Sequence, residues 1–269
     1  MEHTLWITVL VNKLFGGAAL TLLHALHIQP ASVEYPIPTA VCLEFLVFIF
    51  SIVFFLWLKP RIRGDRPGNT QQVMEMLLTN SMGLGVRDLI EDNIGHDGYK
   101  YMPLIGAVGL WVLLCNLLGV IPTLASPSAE VTVPLGCAII VFIYYNYCGI
   151  AAHGPFGHVK HFFGPTPAMA ILWFPVEVIS NLARLLSLTV RLWANMLASE
   201  LLYGIFLGLT LALMFFAGKL NVAGYVTGVL PIIAPLCLIA LHIFEAILQA
   251  FVFVILPVVY VAAVVAEQH

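Results

Sequence analysis

Arg191 stands in the middle of a long apolar stretch that runs from about residue 168 to residue 217. An arginine keeps its proton in proteins, and holding that charge at membrane depth costs roughly 3 kcal/mol on insertion scales. Ionisable side chains inside a membrane usually line the path of a substrate or an ion. The first functional hypothesis is therefore a fixed positive charge that governs ion movement. The structural alternative is an arginine that pairs with a buried acid for packing.

Polar side chains recur at helical spacing in the last two apolar segments. Residues three, four or seven positions apart share one face of a helix. The first polar stripe holds Arg184, Ser187, Arg191 and Asn195. The second holds His242, Glu245 and Gln249. Each member also has an ordinary interpretation: Arg184 can reach the membrane interface, the amides and the hydroxyl can bond between helices, and His242 can be a core histidine.

Glu200 follows Arg191 by nine residues, which is about 900° of helical rotation and places it half a turn away. A salt bridge between the two within one helix is therefore not expected. A carboxylate on the opposite face can serve a different aqueous compartment or a neighbouring helix. We expect His242 and Glu245 to be its partners, because a carboxylate buried in a membrane is otherwise protonated or unpaired.

The composition is that of an all-α polytopic membrane protein. Hydrophobic residues make up 61% of the 269 residues and charged residues 9%, whereas soluble domains carry about 25% charged residues. The mean hydropathy is +1.00. The cysteines lie in apolar runs without a C-x-x-C pair, so we interpret them as small buried hydrophobes rather than disulfides or zinc ligands. They are Cys42, Cys115, Cys137, Cys148 and Cys237.

We predict about five transmembrane helices, since each crossing needs about 20 mainly apolar residues. The predicted spans are about 39–58, 102–122, 131–151, 175–217 and 229–266. Between the first two lies a cytoplasmic loop, 59–101, with an amphipathic surface helix over residues 71–89. The last two spans are long enough that they must tilt or break, and we expect them to form a hairpin. Pro175 is the expected break, and the expected kinks are at Pro231, Pro235 and Pro257.

The basic residues predict the orientation of the chain, because they concentrate on the cytoplasmic side of membrane proteins. This rule puts the amino terminus outside and the carboxyl terminus in the cytoplasm. Residues 1–38 are predicted to be an extracytoplasmic amphipathic segment. Residues 5–26 are apolar enough for a span or a signal peptide, but Glu2, Lys13 and His24 argue against both.

Motifs for catalysis are missing from the sequence. It contains no H-E-x-x-H, no G-x-S-x-G and no Gly-rich phosphate loop, so we expect no catalytic residue and no nucleotide hydrolysis within this chain. His153, His158 and His161 are close in sequence, but histidine-rich loops at a membrane surface are commoner than metal sites. No metal and no cofactor is predicted.

Two motifs in the polar stripes resemble those of a known family, the a subunit of the membrane sector of bacterial F-type ATP synthases. The first is Ile179-Ser180-Asn181-Leu182-Ala183-Arg184, which leads into Ser187-Leu188-Thr189-Val190-Arg191-Leu192-Trp193-Ala194-Asn195-Met196 and ends at Glu200-Leu201. The second is Leu248-Gln249-Ala250-Phe251-Val252-Phe253. Weaker similarity runs through residues 116–122 and 126–130. The departures from the family pattern are Leu185, Trp193-Ala194 and Ser199.

The resemblance implies a role for each polar position. Arg191 looks like the family's essential arginine, which faces the ion-carrying carboxylates of the rotating c-ring. Asn195 and Gln249 resemble its polar neighbours. The outer half-channel is implied for Glu200, His242, Glu245 and, with weaker support, Asn116 and Glu130.

The function implied is that of a non-catalytic stator subunit with two proton half-channels. These would couple proton flow to rotation of the c-ring and so to ATP synthesis. The implied partners are the c-ring, the peripheral-stalk b subunits, the rest of the complex, protons and the lipid bilayer of a bacterial inner membrane, and no nucleic acid. The alternatives are a stand-alone secondary transporter with an anion site at Arg191, disfavoured because no internal repeat is visible, and a membrane metalloprotease.

Overall fold

The computed structural model describes residues 6–25, 35–61, 85–121, 124–161, 170–217 and 224–265. Within these ranges the chain is helical and has no β-strand, which confirms the predicted all-α fold. The helices are α1 (Trp6–Ala25), α2 (Thr39–Leu58), α3 (Val86–Ile94), α4 (Met102–Leu118), α5 (Thr132–His161), α6 (Ala170–Ala217) and α7 (Gly224–Val265). Short 3-10 turns occur at Lys59–Arg61, His96–Tyr101 and Pro127–Ala129.

Six of the described helices, all except α3, are long and apolar enough to cross a membrane by length and composition. One of the six is α1, for which the sequence predicted a position along the outer surface. That position stays a prediction. Asn12 joins α1 to the residues before α2, since its amide donates to the carbonyl of Ile37 at 3.1 Å and accepts from the Ile37 N–H at 2.9 Å.

The spans differ from their predicted bounds mainly at glycine and proline. Helix α5 continues to His161, ten residues beyond the predicted end, by kinking at Gly154. Gly154 has a φ of 73° and a ψ of 165°, a conformation open to glycine, and the following Pro155 disfavours helix at that position. The amphipathic helix predicted over residues 71–89 lies mostly outside the described residues. The described part contains α3, which buries Leu89 and Ile90.

The expected break at Pro175 is wrong, because α6 begins at Ala170 and continues through that proline. Pro175 is the sixth residue of the helix, so the hydrogen bond that it cannot donate is lost close to the helix end, where Ile171 is exposed. Helix α7 likewise continues through all three of its prolines. The 48 residues of α6 measure about 72 Å at 1.5 Å per residue, so a membrane-embedded α6 must be strongly tilted.

Helices α6 and α7 pack against each other as an antiparallel pair. Arg184, early in α6, contacts Tyr260, late in α7, and Ser199 contacts the earlier Glu245. Between these levels lies a buried cluster to which α4 and α5 also contribute. It contains Val108, Val112, Cys137, Ala138, Val141, Leu188, Leu192, Met196 and Phe253. The packing buries one face of α6 and leaves the opposite face of this helix exposed.

Candidate functional site

Arg191 lies on the exposed face of α6. Leu188 and Leu192, on the other side of the helix, are buried in the core and fix its rotation. Within the described part of the chain the guanidinium has no hydrogen bond and no carboxylate within ion-pair distance. A permanent cation at this depth is costly unless an opposite charge is supplied. A counter-charge for Arg191 would therefore have to come from outside the described residues.

Small side chains border Arg191 on the exposed face. Ser187, Ala194 and Ala198 are all exposed, at positions one or two turns from the arginine. Small residues allow the backbones of two membrane helices to approach closely. Asn195, predicted to share this face, is half-buried. This part of α6 therefore combines small exposed side chains with one positive charge.

Glu200 faces a different part of the molecule from Arg191. Its Oε1 accepts a hydrogen bond at 2.5 Å from the backbone N–H of Ser126, in the turn between α4 and α5. The sequence predicted His242 and Glu245 as the partners of Glu200. Instead, because Glu200 faces the opposite side of α6 from Arg191, its carboxylate meets the loop between α4 and α5. A backbone N–H is a partner that no side-chain pattern can reveal.

A chain of hydroxyl groups links this turn to a buried asparagine. The hydroxyl oxygens of Ser126 and Ser128 are 2.6 Å apart, and Ser128 donates to Oδ1 of Asn116 at 2.5 Å. Ser126 also donates to the carbonyl of Cys115 at 3.1 Å. Asn116 is completely buried. Glu200 therefore stands at one end of a hydrogen-bonded polar group that reaches the last turn of α4.

Glu245 reaches the same level from α7. Its carboxylate accepts a hydrogen bond from the hydroxyl of Ser199, the residue before Glu200. Ser199 is one of the departures from the resembled family pattern, in which a glycine is common at this position. The serine thus supplies a donor that a glycine lacks. We call Asn116, Ser126, Ser128, Ser199, Glu200, His242 and Glu245 the carboxylate cluster.

His242, in the carboxylate cluster, lies next to Gly119, the first residue after α4. Its Nε2 is 3.3 Å from the position that a Cβ on Gly119 would occupy. Among the described residues, Nε2 of His242, Nδ2 of Asn116 and Oε1 of Gln249 are buried and have no hydrogen-bond partner. Nearly all buried polar groups in folded proteins are paired, and the exceptions often occur at functional sites. These unpaired atoms identify Asn116, His242 and Gln249 as candidate functional residues.

The opposite end of α6 carries polar contacts that the sequence analysis missed. The hydroxyl of Tyr145 donates to Oδ1 of Asn181, whose amide donates to the carbonyl and to Oε1 of Glu177 at 3.0 and 3.2 Å. The spacing of four residues between Glu177 and Asn181 was the available signal. Arg184 lies 5.3 Å from the centre of the Tyr260 ring, a cation–π contact between α6 and α7.

The other candidate residues lie outside these clusters. Glu130 is exposed and lines a cavity of about 470 Å³ between α2 and α5, together with Glu44, which the sequence analysis had not selected. His153 lies 2.8 Å from the carbonyl of Val264, and the described residues contain no metal-binding group of histidines, cysteines or acids. The side chains of His158 and His161 fall outside the described residues.

Cys237 is exposed, contrary to expectation, because it lies on the outer side of α7.

Comparison with known proteins gives a consistent result along the whole chain. The family model for the ATP synthase A chain matches residues 41–262. The ATP synthase subunit a of Solibacter usitatus is 35% identical over 258 residues, which is 96% of this chain and 99% of that protein. That of Koribacter versatilis is 32% identical over 269 residues, covering 100% of both. That of Aquifex aeolicus is 36% identical over 225 residues, 83% of this chain and 95% of the relative. The chain therefore belongs to the ATP synthase A chain family.

Proposed function

We propose that this chain is the stator subunit that carries protons through the membrane sector of an ATP synthase. In this proposal it contributes two half-channels, and proton flow through them turns a neighbouring c-ring. The observation that carries the proposal is the position of Arg191. A permanent cation on an exposed, small-residue face with no partner in the described chain fits a surface that meets carboxylates on another molecule.

The mechanism follows from charge and position. A proton enters through the carboxylate cluster, where Glu200, Glu245 and His242 can each hold and release it. It passes to a rotor carboxylate, which in neutral form can move into the lipid. As the next carboxylate approaches Arg191, the positive charge favours its ionised form. The arginine therefore prevents a neutral carboxylate from crossing directly between the half-channels, which would let protons pass without rotation.

The two clusters of α6 support two separate half-channels. Glu200 lies on one side of Arg191 along the helix, whereas Glu177 and Asn181 lie on the other side. We assign the carboxylate cluster to the outer half-channel and the Glu177 region to the inner one. This assignment uses the predicted orientation, with the amino terminus outside and the carboxyl terminus in the cytoplasm of a bacterial cell. The b subunits of the peripheral stalk complete the proposed set of partners.

Cysteine cross-linking tests the proposed contact. Ser187→Cys places a thiol on the exposed face one turn from Arg191, and cysteines are introduced in turn along the outer helix of the ring subunit. We expect an oxidant to form a disulfide between the two subunits in the assembled complex. The native exposed cysteine is removed by Cys237→Ser. The disulfide-linked pair of subunits is identified by immunoblotting and mass spectrometry.

Thr189→Cys is the matched control for cross-linking. Thr189 is only two positions from Ser187, but it lies on the buried face of α6 and is 4% exposed. It should give no disulfide with any ring position. Cross-linking from Thr189→Cys but not from Ser187→Cys would place the ring on the face of α6 opposite Arg191 and would contradict the proposed contact. Complete absence of ring subunits from the purified complex would refute the partner itself.

Substitution of Gly119 tests the path beside His242. A Cβ at this position would lie 2.7 Å from Cβ of Ser126 and 3.3 Å from Nε2 of His242, so the turn that binds Glu200 must shift. We expect Gly119→Ala to reduce passive proton flow about tenfold, the effect of about 1.4 kcal/mol on a barrier. The measurement is the decay of a pH gradient in vesicles stripped of the soluble ATPase. Gly106→Ala on α4, where nothing lies within 4 Å, should conduct normally.

A further inference from the structure

A second cavity, of about 470 Å³, opens at the end of the bundle where α4 begins and α7 ends. It lies far along α6 and α7 from the carboxylate cluster. Its lining includes Lys100, Tyr101, Tyr144, Tyr147 and Ala151. Lys100 precedes the first residue of α4 by two positions, and the last residue of α7 also lines the cavity. Both helices are long and apolar enough to span a membrane, and a membrane-spanning α4 that begins at Met102 would bring this cavity near the level of the lipid headgroups.

The charge of the cavity comes from Lys100. Its Nζ lies 4.9 Å from the centre of the Tyr101 ring, which holds the ammonium against the cavity wall. Within the described residues no carboxylate lies within ion-pair distance of it, and no acidic residue lines the cavity. The nearby acid Glu91 accepts instead from the hydroxyl of Tyr99 at 2.7 Å. Among the described residues, Lys100 is therefore an exposed cation without an acidic partner.

Tyrosines form the rest of the polar lining. The rings of Tyr101 and Tyr144 meet edge to face with centres 6.4 Å apart, and Tyr147 is 65% exposed. Tyrosine is favoured at membrane interfaces because its ring is apolar and its hydroxyl donates hydrogen bonds. Ala151, with its small side chain, leaves the cavity open. A volume of this size falls in the range of small-molecule sites, about 300–1,000 Å³.

We propose that this cavity binds the phosphate of an anionic phospholipid. Lys100 supplies the opposite charge, the tyrosine hydroxyls donate to the phosphate oxygens, and the apolar wall faces the start of the acyl chains. Basic pockets between membrane helices bind such headgroups by the same combination of charge and shape. The site is separate from the proposed proton path, so its test does not depend on the proposed function.

Lipid retention by the purified complex tests the charge. The complex is extracted in mild detergent, washed, and its bound phospholipid is identified and counted by native mass spectrometry. We expect Lys100→Gln to lower retention of phosphatidylglycerol about fivefold, the effect of one basic residue at a membrane surface. Lys59→Gln is the control, because Lys59 is also an exposed lysine at a helix end but does not line the cavity. Equal retention by the two variants would overturn the proposal.

A second variant tests the shape without changing the charge. Ala151→Phe puts a bulky side chain at the cavity lining, and we expect the same loss of bound lipid, with the complex still assembled. Rebinding to the delipidated complex then identifies the anion: phosphatidylglycerol should bind, whereas phosphatidylcholine vesicles should not. If inorganic phosphate displaces the lipid at equal concentration, the cavity is a free-anion site and the lipid proposal is wrong.

Discussion

Replacing Arg191 by alanine is expected to abolish proton-driven ATP synthesis while the complex still assembles. The side chain is exposed and has no partner within the described chain, so its removal should change the folding free energy of the subunit by no more than about 0.5 kcal/mol. In the proposed mechanism, what is lost is the positive charge that favours the ionised form of a rotor carboxylate. Synthesis and ATP-driven proton pumping are measured in inverted vesicles, and assembly is measured by copurification.

Arg191→Lys should fail as well, although the nominal charge is retained. A lysine can lose its proton when it is desolvated, whereas an arginine cannot, and lysine also lacks the planar set of donors that matches a carboxylate. Val190→Ala, at the neighbouring exposed position, is the control and should pump normally. Full ATP-driven pumping by Arg191→Ala would contradict the proposed function.

Glu200→Gln is expected to cause the second largest loss, about 100-fold in passive proton flow, at the lower end of what a positioned proton-transfer group contributes. Glutamine keeps an oxygen that can accept from the Ser126 N–H, so the turn between α4 and α5 stays in place. It cannot take up and release a proton at neutral pH. Flow is measured in vesicles stripped of the soluble ATPase, with a fluorescent pH indicator inside.

Glu200→Leu separates the structural part of this effect from the chemical part. Leucine leaves the Ser126 N–H without its acceptor, which should cost about 1–3 kcal/mol, and the thermal stability of the complex should fall. Glu200→Gln should keep the stability and lose only the flow. If Glu200→Gln conducts protons as well as the unmodified chain, Glu200 has no part in the half-channel.

The polar stripes and most spans could be predicted because they depend on local periodicity. Helix α2 has the predicted bounds, and the half turn between Arg191 and Glu200 places the two side chains in different surroundings. Both results follow from the geometry of one helix and the length that a membrane requires.

The partners of the acidic residues could not be predicted, since they depend on contacts between distant parts of the chain. Glu200 and Ser126 are 74 positions apart, and the donor is a backbone group. Glu245 bonds to Ser199, a departure from the family pattern whose partner lies 46 positions away on another helix. No break occurs at Pro175 because a proline close to a helix end removes little, whereas Gly154, the residue before Pro155, leaves the helical conformation.

The two polar ties between α6 and α7 have a mechanical consequence. Arg184 on Tyr260 and Ser199 on Glu245 are 15 residues apart along α6, or about 22 Å, and Arg191 lies between them. If a ring exerted a sideways force on Arg191, the contacts of Arg184 and Ser199 would hold α6 on either side of it. Leu188 and Leu192, which are buried in the core, would support the helix from the opposite face. Under the proposed function, such an arrangement would resist bending and sliding of α6 and so limit the torque that is lost in deforming the helix.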